Sequence, residues 1–278
     1  MHNKMNQNTQ LQTLIIAGAG PGDPELITVK TVRHLREADV VITDRLVSEL
    51  ILEKYVRRTA LVLHAGKQRY KEGSTPQYII NELLVEYALQ GKKVVRLKGG
   101  DVSVFSNLLD ELRILNKYRI PYEIIPGITA ACGAAAYAGI PLTARDHSNA
   151  VRFLTLHKPG LIEPEYWKEL AATDDTLVFY MSGDNSEELS SNLLAHGIKS
   201  DRFIAVIEQA TTPMQTVFSC PLNEYAARTN KRNYVSPTII IIGKVAGLHE
   251  QFRWKSNSES EELYFKPIKK TQQQEERA

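Results

Sequence analysis

The chain has 278 residues, with 34 Lys plus Arg against 32 Asp plus Glu, a formal net charge of +2, 43% hydrophobic and 24% charged residues. That near-neutral balance supplies no global field for gripping nucleic acid or an anionic membrane, and no apolar run approaches the roughly 20 residues of a spanning helix. Two cysteines, Cys132 and Cys220, exclude a disulfide framework and a four-thiolate zinc site.

The opening MHNKMNQNTQLQ lacks the apolar h-region of a secretory signal, so the expected compartment is the cytoplasm. Residues 1–12 are Asn/Gln-rich and 255–278 mostly charged and polar. Neither buries enough apolar area to offset ordering entropy, which predicts flexible tails at 1–12 and 250–278. TLIIAGA at 13–19 reads as a buried strand, and Leu26, Val29, Val32 and Leu35 recur at helical spacing. VVIT at 40–43 is a strand, 46–56 a helix and ALVLH at 60–64 a third strand. Thr75 offers an N-cap with Pro76 at the first helical position, and Gly91 stops that helix. KKVVRL at 92–97, a helix near 104–116 and YEII at 122–125 complete this half.

TAACGAAAYAG at 129–139 fits an Ala-rich buried helix capped by Gly139, or a close-packed backbone surface for a ligand. Strands resume at 151–156, 176–181, 203–208, 215–219 and 238–242, the third and fourth forming an antiparallel hairpin. Alternating strands and helices predict an α/β fold with two domains. The first, 13–130, carries a mainly parallel sheet and the second, 131–249, a mixed one.

Three glycine-bearing turns leave strands of the first half: Gly18-Ala19-Gly20-Pro21-Gly22-Asp23-Pro24, then Lys98-Gly99-Gly100-Asp101, then Pro126-Gly127-Ile128-Thr129. In open α/β sheets ligands sit at the carboxyl ends of strands, so three such turns favour one shared crevice. A dinucleotide site would set pyrophosphate on the first loop and Asp44 on a ribose. Pro21 and Pro24, however, remove amide donors that a phosphate needs. His64, His147 and His157 show no ligand spacing with Cys or acidic residues, so no metal is expected, and Cys132 reads as a small packing residue.

GAGPGDPELIT, TDRLVS, AGK, RLKGGD, PGITAACGAAAYAGIPLT and FYM, in this order, resemble the tetrapyrrole methylases. These are the class III S-adenosylmethionine-dependent methyltransferases, and the likeness is to those that methylate uroporphyrinogen III. It runs from about residue 13 to about 249 and implies a methyl donor folded in a cleft between two α/β domains. Donor contacts are implied at Pro21, Gly99, Gly100, Asp101, Val104, Thr129 and Ala130, with Met181 and Ala210 from the second half. It further implies Asp44 as general base, Lys67 as proton donor, S-adenosylhomocysteine as by-product and a homodimer. Two methyl transfers onto uroporphyrinogen III would give precorrin-2 for siroheme or cobalamin.

An octacarboxylate acceptor asks for cations at the opening, for which Arg45, Lys67, Arg69, Arg145 and Arg152 are placed by proximity to the motifs. The chain departs from the family pattern after Gly-Gly-Asp, reading Val102-Ser103-Val104-Phe105-Ser106-Asn107-Leu108-Leu109-Asp110-Glu111 where a Pro, an aromatic and a Gly-Arg-Gly segment are usual. That exchange predicts a more helical segment. Ala144 and Ser182 also depart. A different precorrin methylase, or a donor-binding homologue with weakened catalysis, are the alternatives these changes raise.

Overall fold

A computed structural model describes residues 11–65, 75–156, 162–229, 232–260 and 262–266. They divide into two compact units: residues up to Thr129 together with those from Phe265 on, and Ala130–Tyr264.

The first unit contains β1 (Leu14–Gly18), α1 (Val29–Glu37), β2 (Val40–Thr43), α2 (Glu49–Tyr55), β3 (Leu61–His64), α3 (Gln77–Leu89), β4 (Val94–Lys98), α4 (Leu108–Lys117) and β5 (Tyr122–Ile125). All five strands run parallel in the order β3-β2-β4-β1-β5. Their apolar residues alternate between two cores, as a sheet covered on both faces requires. Leu14, Ile16, Val40 and Ile42 join Ile80, Leu84 and Leu115 on one face. Ile15, Ala17, Val41, Val95 and Leu97 join Leu35 and Ile51 on the other. Because every strand is parallel, Gly18, Thr43, His64, Lys98 and Ile125 end on one edge.

The second unit contains α5 (Ala130–Tyr137), β6 (Val151–Thr155), α6 (Pro164–Ala172), β7 (Thr176–Tyr180), α7 (Ser186–Ala195), β8 (Phe203–Glu208), β9 (Thr216–Pro221), α8 (Tyr225–Thr229), β10 (Thr238–Gly243) and α9 (His249–Phe252). Its order is β6-β7-β10-β8-β9. Only β6 and β7 pair in parallel, and β8–β9 is the expected antiparallel pair. Trp167, Leu170, Leu189 and Leu193 cover one face over Phe179, Val206 and Ile240. The Tyr180 hydroxyl, on the other face, accepts the Ala131 amide of α5 at 3.1 Å.

Several local expectations change. The first helix begins at Val29 because the Thr28 hydroxyl accepts the Thr31 amide at 3.2 Å, and Leu26 falls in a preceding 3-10 turn. Val29 is consequently 87% exposed, and Thr31 and Leu35 make the buried face instead. Pro76 is itself the N-cap, and its helix starts one residue later than expected. The 102–107 segment is a run of turns and bends, not helix. Phe105 and Asn107 have φ of 50° and 56°, left-handed conformations that interrupt a helix before Leu108. Cys132 is exposed rather than packed, because α5 turns Ala131, Ala134 and Ala135 inward.

Part of the expected tail from 250 is also anchored. The Asn257 side chain exchanges two hydrogen bonds with the Val217 backbone, and the Ser258 amide donates to Gln215 C=O at 2.9 Å. Those contacts occupy the free edge of β9, and Phe265 is buried. Trp254 is mostly exposed, but its indole N–H donates to Ala136 C=O at 2.9 Å.

Candidate active site

The carboxyl edge of the first sheet brings all three glycine turns together. Gly20 and Gly100 exchange two backbone hydrogen bonds, 3.1 and 2.8 Å, and the Ala19 amide donates to Lys98 C=O at 2.7 Å. Gly18 and Gly127 are pressed against this pair so closely that a Cβ on Gly18 would lie 2.6 Å from the Gly100 oxygen. Gly18 and Gly127 therefore serve close backbone approach, whereas Gly20 and Gly100, with φ of 80° and 69°, serve the turn itself.

Asp101 fastens the assembly. Its carboxylate accepts the Gly127 amide at 2.8 Å, the Ser103 amide at 2.8 Å and the Ser103 hydroxyl. The side chain expected to touch the donor is thus consumed in joining the second turn to the third. Burial alone would raise its pKa, but the bonds from Ser103 and Gly127 outweigh that and hold it below the ordinary value of 3.8. A carboxylate with depressed folded pKa adds stability above its unfolded pKa and loses it as pH falls through the folded one. Asp101→Asn should therefore show a stability deficit in urea melts at neutral pH that narrows beneath pH 3.8. A deficit unchanged between about pH 7 and about pH 2 would mean that ionisation has no part in it.

Asp44 stands at the end of β2 on the same edge. Its Oδ1 accepts the Leu46 amide at 3.0 Å, capping the local turn, and both carboxylate oxygens lie within 3.3 Å of the Gly99 amide. Capping, the structural role open to this residue, is real, but its contacts also reach the Gly99 turn, 55 residues along the chain. Arg45 beside it is half-buried, and its Nη1 donates to Phe265 C=O at 3.5 Å. Burial pushes the Arg45 pKa down, with Asp44 opposing the shift.

Pro21 is buried, and Val104 and Thr129 are half-buried in this unit. Lys67 and Arg69, with His157, lie outside the described residues. In the second unit β7 and β8 both flank antiparallel β10, so Met181 and Ala210, which follow them, share one sheet edge. Met181 is 44% exposed with φ of 54°, and Gln209 and Thr211, either side of Ala210, have φ of 47° and 65°. Strained non-glycine backbone of this kind concentrates at functional sites. Gln209 is held by bonds to Glu262 C=O and from the Tyr264 amide. Arg152 is not at that edge. It sits near the amino end of β6, paired with Asp175 and Glu169 at 2.6 Å each. Arg145 is exposed.

The chemistry of the first edge suits a particular ligand. Two carboxylates, Asp44 and Asp101, oppose a diphosphate here, and Pro21 and Pro24 withhold amide donors from it. A cationic or zwitterionic molecule faces no such penalty. Among the described residues no group of three His, Cys, Asp or Glu side chains is arranged to hold a metal ion. No helix among them is long and apolar enough to cross a membrane.

Comparison with known proteins identifies the family. The sequence pattern of the tetrapyrrole (corrin/porphyrin) methylases matches residues 13–226. A siroheme synthase of Acinetobacter baylyi is 47% identical over 241 residues, 86% of this chain and 52% of the relative. The chain thus spans about half the length of the curated relatives it matches. Among solved structures, cobalt precorrin-4 methyltransferase superposes with a TM-score of 0.74 at 26% identity, covering 84% of this chain and 95% of that one. Uroporphyrin-III C-methyltransferase of Thermus thermophilus gives 0.72 at 30% identity, covering 88% and 97%. A second structure of that enzyme, complexed with S-adenosylhomocysteine, gives 0.68 at 30% identity, covering 84% and 93%. The chain belongs to the tetrapyrrole (corrin/porphyrin) methylases.

Proposed function

We propose that the chain methylates two pyrrole carbons of uroporphyrinogen III, using S-adenosylmethionine, to give precorrin-2 for siroheme or cobalamin synthesis. The observation that carries this reading is the backbone-to-backbone packing of Gly18, Gly100 and Gly127, fastened by Asp101. Support comes from the siroheme synthase relative and from the Thermus enzyme complexed with S-adenosylhomocysteine.

Bound S-adenosylmethionine supplies an electrophilic methyl on a sulfonium, whose positive charge vanishes on transfer. The chain's task is then to hold and orient. Gly99, Gly100, Thr129 and Ala130 offer backbone groups, Pro21 and Val104 apolar wall, and Met181 and Ala210 complete the donor set. Orientation at near-attack distance supplies several kcal/mol of the rate enhancement. The attacked macrocycle forms a C–C bond and must release a proton, which Asp44 accepts as general base. Lys67 is the proposed proton donor and Arg45 a cation for an acceptor carboxylate. The working form is proposed to be a cytoplasmic homodimer.

A different precorrin as acceptor is the second reading, favoured by the turn at 102–107, where Phe105 is 43% exposed on strained backbone. Product mass after incubation with donor and uroporphyrinogen III separates them. A gain of two methyl groups is expected, and no gain would sink the first reading. Donor binding by calorimetry with no turnover on any tetrapyrrole would instead leave a binding module.

A further inference from the structure

The first unit buries three charged side chains that no step above uses. Arg96 and Lys98 point to the same face of central strand β4, two residues apart, and Glu111 meets them from α4. Arg96 Nε donates to Glu111 Oε1 at 2.9 Å and Lys98 Nζ to Oε2 at 2.8 Å, with side-chain exposures of 4%, 4% and 0% for Arg96, Lys98 and Glu111. Arg96 Nη1 also reaches Ile42 C=O on β2 at 3.2 Å and Leu97 C=O at 3.3 Å. Leu108, Leu112 and Leu115 flank Glu111 on the same helical face and pack into the core. A stability argument alone does not account for this, because well-packed apolar residues of similar volume usually serve a core as well as buried charges do.

Position accounts for it. β4 ends at Lys98 and α4 begins at Leu108, so the triad joins the strand entering the 99–107 loop to the helix leaving it. We infer that the Arg96–Glu111–Lys98 triad is a brace across the base of that loop, and that Glu111 is a positioning residue for the Gly99–Gly100 donor turn. Apolar contact between β4 and α4 is non-directional. Two charge-assisted bonds to one carboxylate fix both rotation and distance. The loop so held carries the Gly99–Gly100 turn, the Asp101 fastening and the strained Phe105 and Asn107. Burial lowers the Lys98 pKa, with Arg96 adding repulsion, while Glu111 and then Asp44 draw it back up. Glu111 is thus the larger of the two attractions on that buried ammonium.

The inference rests on the proposed donor site for its functional consequence, and its test reads the loop separately. Two variants are needed: Glu111→Asp, which keeps the charge and shortens its reach, and the triple Arg96→Met, Lys98→Met, Glu111→Leu, which fills the space without charge. In each, amide hydrogen exchange is followed at 99–107 and at α1, with S-adenosylhomocysteine affinity by calorimetry. Expected are exchange faster by about tenfold at 99–107 and unchanged at α1, and affinity weaker by about ten- to a hundredfold. Folded variants with parental exchange at 99–107 would overturn the brace. Should the parent chain fail to bind S-adenosylhomocysteine while loop exchange still responds, the donor reading falls and the brace stands.

Discussion

Asp44→Asn is expected to lower methyl-transfer turnover by about 10²- to 10⁴-fold, the usual worth of a positioned general base, while donor affinity stays near the parental value. The separation follows from what each carboxylate oxygen does. Oδ1 accepts the Leu46 and Gly99 amides, and Oδ2 adds a second contact to Gly99 at 3.2 Å. An Asn keeps one accepting oxygen for both amides, so the turn after β2 and its link to the Gly99 turn survive. Its amide nitrogen cannot take up a proton, so the proposed acid–base role is lost.

Asp44→Ala behaves differently, because it removes the acceptor as well. The Gly99 amide then has to find another partner, at a cost of about 1–3 kcal/mol if none reaches it, and donor affinity should fall together with turnover. Steady-state turnover and calorimetry with S-adenosylhomocysteine on both variants check this. Parental turnover in the Asn variant would reduce Asp44 to a structural clip. Equal losses of affinity in the two variants would mean that the carboxylate's charge, and not its geometry, serves the donor turn.

Strand positions were legible because apolar runs in a covered sheet leave little choice. VVIT, YEII and FIAVIE coincide with β2, β5 and β8 residue for residue. Helix starts were less so, since capping outcompetes hydrophobic spacing at Thr28, and the Leu26–Leu35 stripe is phased by the cap instead. The three glycine turns could be read from their places after strands. Which glycines turn the chain and which admit another backbone could not, because Gly18 and Gly127 meet only through strand order β4-β1-β5. The buried triad had a signal in the alternation of Val94, Arg96 and Lys98 on a central strand, which sends both cations inward. Its partner lies 13 residues beyond Lys98, on a helix whose start the strained 102–107 turns determine. Anchoring at Asn257 and Ser258 was hidden by composition, because a few bonds at β9 hold polar residues without a large apolar face.

Gly127→Ala should cost about 3 kcal/mol or more, the upper end of overpacking penalties, and abolish measurable donor binding. Gly127 has no left-handed backbone to excuse it, so the penalty is steric alone. The added Cβ would stand 2.3 Å from the Gly100 oxygen and 2.9 Å from the Gly18 Cα, both backbone atoms that no rotamer change can move aside. Relief requires shifting the third turn off the other two, which also draws the Gly127 amide away from Asp101 Oδ2. Because that bond fastens the second turn, displacement passes directly to Gly99 and Gly100. Gly197→Ala provides the contrast. There φ is +83°, but a Cβ meets nothing within 4 Å, so left-handed strain of about 1–2 kcal/mol is the whole cost and donor binding stays parental. Urea melts and S-adenosylhomocysteine calorimetry on both variants make the comparison. A Gly127→Ala protein as stable as Gly197→Ala, and binding the donor product as tightly, would show that the three-glycine contact neither bears on the fold nor shapes the donor site.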